Sequence, residues 1–284
     1  MRAVEGLEDT HFYIDNAPPE EVGWVLRCMS STEQLSPRAI ADRTRSEYGF
    51  QMQRDTTYSP RRLYDLGLVQ QSSTAAGVSY TLTRLGVRLR EIMALDPTLY
   101  AEVLHFLHYS RYDGRPETRK YFWSYRSCSE IIWMEGRVVP AHELAARIQD
   151  VMRQEFPYLD FGARVGARFD GTAAGRFYTW IRQLSPSPLP EGGDVTLRRR
   201  NVEHHELALL SIDHVYRVRG YRYGDPVILD ELLLDELARV FFLELNCYRE
   251  LLSLAAKLTR LIVSRDTFAG TSVTLQAHYG IENI

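Results

Sequence analysis

Apolar residues in the first third of the chain recur at helical spacing in three short segments. The first predicted helix covers 20–29. The second covers 38–47, after the N-cap residue Ser36 and before Gly49, a residue typical of helix ends. The third ends within RRLYDLGLV at 61–69. The pattern predicts three consecutive helices.

Two short segments with the pattern of β-strands follow the third predicted helix. Two short strands are predicted over 68–71 and 78–82, separated by a tip of small residues, SSTAAG. Thr83 is a suitable N-cap for a further helix that begins RLGVRL. Three helices, a two-stranded wing and a fourth helix is the order of a winged helix-turn-helix domain, which we predict over 18–95 after a polar leader over 1–17.

The rest of the chain reads as mostly helical. A helical middle region over 96–184, with Asp96 as its first N-cap, precedes a Pro- and Gly-rich loop over 185–194. The C-terminal region, 195–284, is mainly helical, with helices predicted over 203–218 and over the leucine-rich 229–264. The predicted fold class is mainly α with a small β wing, and we detect no internal repeat.

Composition is that of a folded, water-soluble chain. Hydrophobic residues make up 45% of the sequence and charged residues 25%, which argues against disorder. No apolar run reaches the length of a membrane span, and no secretory signal is recognisable at the N-terminus. The isolated residues Cys28, Cys128 and Cys247 form no disulfide or zinc pattern. We therefore expect a cytoplasmic protein.

Positive charge is concentrated in the predicted wing domain, although the whole chain has a net charge of −3. Almost all cations are arginine, which bonds phosphate and guanine bidentately; a GC-rich genome would also explain this preference. The third helix would enter the major groove of double-stranded DNA while arginines after the wing hold the backbone. The candidate DNA-binding residues are Arg54, Thr56, Thr57, Tyr58, Arg61, Arg62, Arg84, Arg88 and Arg90.

Pro60 makes the recognition segment atypical. It suits the first residue of a short helix capped by Ser59, but inside a longer helix from Asp55 it would remove a hydrogen bond and bend the axis. A winged helix also serves in some proteins as a protein-binding module. The second interpretation is therefore a structural adaptor whose winged helix binds protein.

Three other features have two interpretations each. His105 and His108 are spaced for a metal pair or for a helix core. The aromatic and cationic stretch 109–133 suits a stacking platform for single-stranded nucleic acid, or an amphipathic helix that buries Phe122, Tyr125, Ile132 and Trp133. Arg198, Arg199 and Arg200 suit a phosphate contact or an exposed strand edge.

Sequence motifs of catalysis are missing where they would be expected. Neither GxSxG, a phosphate-binding loop nor HExxH occurs. We therefore expect a protein that is not an enzyme and that needs no metal or other cofactor.

The layout resembles an uncharacterised family of bacterial winged helix-turn-helix proteins. The resemblance lies in Leu66-Gly67-Leu68-Val69, Leu82-Thr83-Arg84-Leu85-Gly86, Asp96-Pro97, His105-Phe106-Leu107-His108-Tyr109 and Asp266-Thr267-Phe268-Ala269-Gly270. Members of that family occur near DNA-modification and anti-phage genes. The resemblance implies a transcriptional regulator or a DNA-engaging subunit of a defence system, and it implies no catalytic residues. The C-terminal helices would form a homodimer or bind a protein partner, and no membrane is expected to take part.

Overall fold

A computed structural model of the chain describes residues 12–14, 19–52, 58–75, 77–112, 116–159, 168–191, 195–268 and 270–284. The described residues form a mainly helical fold with a few short antiparallel strands, in agreement with the predicted class. The helices are α1 (Pro19–Cys28), α2 (Pro37–Tyr48), α3 (Tyr58–Asp65), α4 (Arg84–Leu95), α5 (Pro97–Ser110), α6 (Pro116–Glu135), α7 (Ala141–Glu155), α8 (Gly171–Ile181), α9 (Glu206–Arg219), α10 (Glu231–Arg239) and α11 (Leu245–Leu258). The strands are β1 (Val69–Thr74), β2 (Gly77–Leu82), β3 (Pro226–Ile228), β4 (Ile262–Thr267) and β5 (Gly270–Leu275).

The chain divides into two compact units, each built from separated segments. The described residues of the middle unit lie within 12–14, 105–202 and 238–244. Those of the terminal unit lie within 19–104, 203–237 and 245–284. The terminal unit therefore takes segments from both ends of the chain, and each unit is described separately below.

The first half of the terminal unit contains α1, α2, α3, the β1–β2 hairpin and α4. Leu35, between α1 and α2, exchanges two backbone hydrogen bonds with Tyr80 of β2, at 3.0 and 2.9 Å. On its other edge β2 pairs with β1, from Val69 opposite Leu82 to Thr74 opposite Gly77. The order of the paired segments is thus Leu35, β2, β1.

Local signals for helix ends in the sequence are confirmed. Side-chain oxygens of Ser36, Thr83 and Asp96 each accept a hydrogen bond from the backbone N–H three residues ahead, at 3.2, 3.1 and 3.0 Å. Gly49 ends α2 in the left-handed conformation, with φ +66°. These caps depend on neighbours within one helical turn, which explains why the sequence alone predicts them.

The second half of the terminal unit contains α9, β3, part of α10, α11 and the β4–β5 hairpin. Its strands form a three-stranded antiparallel sheet in the order β3–β5–β4. The single helix predicted over 229–264 is wrong, because two helices and the first residues of strand β4 occupy that range.

A buried arginine accounts for the break between the two helices. The segment Val240-Phe241-Phe242-Leu243 is fully buried but not helical, and Phe242 has a φ of +55°. Arg200 satisfies the carbonyl groups that a helix would have used: its Nη2 donates to Phe241 O at 2.6 Å and its backbone N–H to Phe242 O at 2.7 Å. Its own carbonyl accepts from the N–H of Glu244 at 2.9 Å. The apolar run is a connection within the middle unit.

The two halves of the terminal unit repeat one arrangement, which the sequence analysis missed. Each runs helix, short strand segment, helix, helix, strand, strand, and in each the last strand lies between the other two. The β4–β5 register, from Ile262 opposite Leu275 to Thr267 opposite Gly270, matches the β1–β2 register pair for pair. Residues 68–83 and 261–276 align without a gap and share seven identities: Leu68/Leu261, Thr74/Thr267, Ala76/Ala269, Gly77/Gly270, Ser79/Ser272, Thr81/Thr274 and Leu82/Leu275.

Candidate nucleic-acid interface

Thr83 and Gly86 fix the junction between the first hairpin and α4. The Thr83 hydroxyl donates to the carbonyl of Gly67 at 2.8 Å and also accepts from the N–H of Gly86. The N–H of Thr83 donates to the carbonyl of Leu68 at 3.0 Å. Gly67 itself has a φ of +67°, which lets the chain turn from α3 into β1. These bonds hold the end of α3, the hairpin and the start of α4 together.

The candidate recognition helix, α3, has only eight residues and is about 12 Å long. Pro60 is its third residue, where the missing N–H costs no hydrogen bond within the helix. The helix includes Ser59, so the prediction that Ser59 caps a helix beginning at Pro60 is wrong, and the longer helix from Asp55 would involve residues outside those that the structure describes. Three candidate residues, Arg54, Thr56 and Thr57, lie outside the described residues, as does the side chain of Tyr58.

Two neighbouring arginines of α3 have opposite environments. Arg61 is exposed, and its charge acts on Tyr80: burial raises the pKa of the Tyr80 hydroxyl, and Arg61 opposes that rise. Arg62 is only 4% exposed, and its Nη1 lies 3.3 Å from a carboxylate oxygen of Asp65. Arg61 is therefore accessible to a ligand, whereas the Arg62 guanidinium lies in the protein interior.

The three candidate arginines of α4 also differ from one another. Arg84, in the first turn, is exposed. Arg88 is partly exposed, and its Nη1 donates to Glu91 at 2.8 Å. Arg90 donates to the backbone carbonyl of Met29. Of the candidate residues whose side chains the structure describes, Arg61 and Arg84 are the two that present an exposed guanidinium.

In the predicted wing domain, carboxylates also pair with arginines that are not among the candidate residues. Arg43 donates to both carboxylate oxygens of Glu33, at 2.9 and 2.8 Å, and the pKa of Glu33 is lowered mainly by this contact. Arg43 also donates to the carbonyl of Cys28 at 3.1 Å. The local excess of positive charge counted from the sequence therefore overstates the charge available to a ligand.

The aromatic stretch of the middle unit is core. Phe122, Tyr125, Ile132 and Trp133 are all buried, as the amphipathic-helix interpretation predicts. A stacking platform built from these rings is excluded, because bases cannot reach them.

His105 and His108 are buried as well. The Nδ1 and Nε2 atoms of His105 lie 2.9 Å from the Tyr125 hydroxyl and 2.7 Å from the Val240 carbonyl. His108 packs against Trp180, with ring centroids 4.4 Å apart. The core interpretation of this pair is therefore favoured.

The arginine triplet after the Pro- and Gly-rich loop is divided among three environments. Arg198 and Arg199 are both exposed, and Arg199 lies over the Trp133 ring at 4.4 Å from its centroid. Arg200 is buried and bonded to backbone carbonyls. The triplet therefore does not act as one basic patch.

Exposed cations in the second half of the terminal unit escaped the sequence analysis. Four of them lie on α11, directly after it and on β4: Arg249, Lys257, Arg260 and Arg265. The prediction of one long helix over 229–264 concealed the hairpin that begins there. The repeated motif T-x-A-G-x-S-x-T-L at 74–82 and 267–275 was the signal that could have revealed it.

No protein-family model matches the chain, and no curated protein matches it. No helix among the described residues is long and apolar enough to cross a membrane. Functional inference therefore depends on the chain's own residues.

Proposed function

We propose that residues 19–95 form a winged helix-turn-helix domain that binds double-stranded DNA without catalysing a reaction. The order of α1, α2, α3, the β1–β2 hairpin and α4 supports this fold, as does the pairing of Leu35 with β2. In such domains the helix that precedes the wing enters the major groove.

The observation that carries the proposal is the accessibility of Arg61 on α3. Its neighbour Arg62 is buried, so of these two arginines of α3 only Arg61 can contact a ligand. Arg84, exposed directly after the hairpin, would contact a phosphate of the same duplex. The protein would act as a transcriptional regulator or as the DNA-engaging subunit of a bacterial defence system.

Fluorescence anisotropy with the full chain tests the proposal, using a random-sequence duplex and the region upstream of its own gene at about 50 to 200 mM salt. We expect binding that weakens steeply with salt, and an affinity reduced about tenfold by Arg61→Ala. Arg153→Ala is the charge-matched control, since Arg153 is exposed on α7 of the middle unit. Preference for the upstream region supports a regulator, whereas equal binding of both duplexes supports a defence subunit.

A structural adaptor is the second candidate function. The shortness of α3 favours it, as does Tyr64, which is 48% exposed on the same helix and suits a protein contact. Absence of binding to either duplex at the lowest salt would overturn the DNA proposal and leave the adaptor as the leading function. Light scattering then separates a stable homodimer from a chain that aggregates without a partner.

A further inference from the structure

We propose that residues 206–237 and 245–276 form a second winged helix, and that the exposed face of α11 with the β4–β5 hairpin binds the same DNA duplex. One chain would then contact two segments of a duplex without dimerising. The inference rests on the proposed function of the first half and extends it to a surface that the sequence analysis did not include.

The equivalence of the two halves extends to individual hydrogen bonds. The N–H of Gln276 donates to the carbonyl of Leu261 at 2.7 Å, as the N–H of Thr83 does to Leu68 at 3.0 Å. A serine of the last strand bonds the carbonyl across the hairpin in both halves: Ser272 to Arg265 at 3.3 Å, and Ser79 to Ser72 at 3.5 Å. Matched register, matched bonds and shared sequence indicate that both segments are copies of one structural unit.

The helix before the wing is longer in the second copy. α11 has fourteen residues and is about 21 Å long, compared with about 12 Å for α3. It contains no proline. Its inner face is buried through Cys247, Tyr248, Leu251, Leu252 and Ala255. The opposite face is therefore displayed over almost four turns.

The residue types on that outer face suit a duplex. Asn246 and Arg249 are exposed in the N-terminal half of α11, where a recognition helix reads base edges, and Ser253 is exposed further along the helix. Arg249 Nη1 donates to Asn246 Oδ1 at 3.0 Å, so the two side chains already lie side by side. Asparagine and arginine are the residues that bond adenine and guanine bidentately.

Cations that would hold phosphates follow at the C-terminal end of the same surface. Lys257 lies in the last turn of α11 beside the exposed Leu258, Arg260 lies after the helix and Arg265 lies on β4, and all three cations are exposed. Two exposed carboxylates, Glu244 and Glu250, reduce the net charge of the surface. We therefore expect this face to neutralise fewer phosphates than it has cations. Contacts with base edges should contribute to its affinity for the duplex as well.

The tip of the second wing carries a large apolar side chain in full contact with solvent. Phe268 occupies the turn between β4 and β5, and its position in the first hairpin is held by Ala75. An exposed phenylalanine contributes nothing to the core of its own unit. Apolar side chains that reach into the minor groove are a known means of gripping a duplex, and a wing tip is placed to do this.

The test uses the full chain and two duplexes: one of about 12 base pairs, sufficient for one module, and one of about 30 base pairs, sufficient for two recognition helices a helical turn or more apart. The second-surface variant is Arg249→Ala/Lys257→Ala/Arg265→Ala. On the long duplex we expect it to bind about tenfold more weakly than wild type and to reduce the slope of log affinity against log salt by about 0.9 for each phosphate that it no longer neutralises. Phe268→Ala should weaken binding without changing that slope.

Controls separate this inference from the proposed function. All substituted residues are exposed, so unchanged circular dichroism and melting temperature are expected. Normal binding by the second-surface variant, together with weak binding by Arg61→Ala, overturns the second surface and leaves the proposed function standing. Weak binding by the second-surface variant with normal binding by Arg61→Ala supports the second surface and overturns the first. Absence of DNA binding by the wild type overturns both the proposed function and the second surface. Conversion of a dimer to a monomer by the second-surface variant overturns DNA binding by this face and assigns the face to an interface between copies of the chain.

Discussion

A side chain on Gly86 would collide with the backbone of Leu68. A Cβ atom built on Gly86 overlaps the Leu68 carbonyl oxygen and lies 3.0 Å from the carbonyl carbon. That carbonyl cannot move away freely, because it accepts the N–H of Thr83 at 3.0 Å. The Thr-Arg-Leu-Gly sequence at 83–86 is therefore explained by a close approach of two backbones.

Gly86→Ala should destabilise the protein by at least about 1–3 kcal/mol, since the methyl group must displace a bonded carbonyl. Urea unfolding followed by circular dichroism measures the effect. Gly175→Ala is the matched control: Gly175 also lies inside a helix, α8, and a Cβ there meets no atom within 4 Å. We expect that control to be neutral or stabilising by up to about 1 kcal/mol. Equal effects of the two substitutions would show that the close approach to Leu68 has no energetic importance.

Substitution of the two neighbouring arginines of α3 should separate stability from binding. Arg62→Ala removes a buried side chain, leaves Asp65 without this partner and should cost about 2 kcal/mol or more of unfolding free energy. Arg61→Ala, at an exposed position, should change stability by less than about 0.5 kcal/mol. Thermal unfolding of both variants checks the prediction, which fails if Arg61→Ala is the more destabilising change.

Asp213 is the centre of a polar cluster in the terminal unit and is 1% exposed. Its Oδ1 accepts from the Tyr223 hydroxyl at 3.0 Å and from the N–H of Tyr279 at 3.0 Å, and it lies 2.9 Å from His278 Nδ1. Its Oδ2 accepts from Arg217 Nε at 2.8 Å. The carboxylate thus ties α9 to the chain that follows β5.

Asp213→Asn should destabilise the protein by about 3 kcal/mol, because the amide removes the negative charge and presents donors where the site supplies donors. Chemical denaturation measures the loss. Asp150→Asn provides the comparison, since Asp150 also pairs with an arginine but is largely exposed, and we expect a change of less than about 1 kcal/mol. A similarly small effect at Asp213 would mean that the cluster does not hold the two segments together.

Acid should destabilise the middle unit through His105. Burial lowers the pKa of His105 to about 3, from an ordinary value near 6.5. Because a carbonyl can only accept, Nε2 carries the proton toward Val240 and Nδ1 accepts from the Tyr125 hydroxyl, so the ring is bound in its neutral form. Between these pKa values the unfolded chain binds a proton that the folded chain does not.

The stability contributed by neutral His105 is therefore complete above pH 6.5 and decreases as the pH falls toward 3, by up to about 1.4 kcal/mol per pH unit. Unfolding free energies of wild type and His105→Gln between pH 7 and pH 4 test this, since other titrating groups are common to both proteins. The difference between the two proteins should shrink with acid, and a constant difference would contradict the prediction.

Features that depend on near neighbours along the chain are predictable from the sequence. Ser36, Thr83 and Asp96 cap helices because a short polar side chain reaches a backbone N–H three residues away. The first hairpin was predicted for the same reason, since its strands are joined by a short turn. These interactions form wherever the local sequence allows them.

Features that depend on partners distant in the sequence follow from the tertiary packing. Arg61 and Arg62 are the same residue type on one helix, and only packing places one in solvent and the other beside Asp65. The apolar run 240–243 lies inside a leucine-rich segment that predicts a helix, but hydrogen bonds from Arg200, some forty residues earlier in the chain, hold it in another conformation. Strand β3 pairs with β5 across more than forty residues. Hydrophobic spacing carries no record of such partners, because a buried helix and a buried connection expose the same apolar surface to water before they fold.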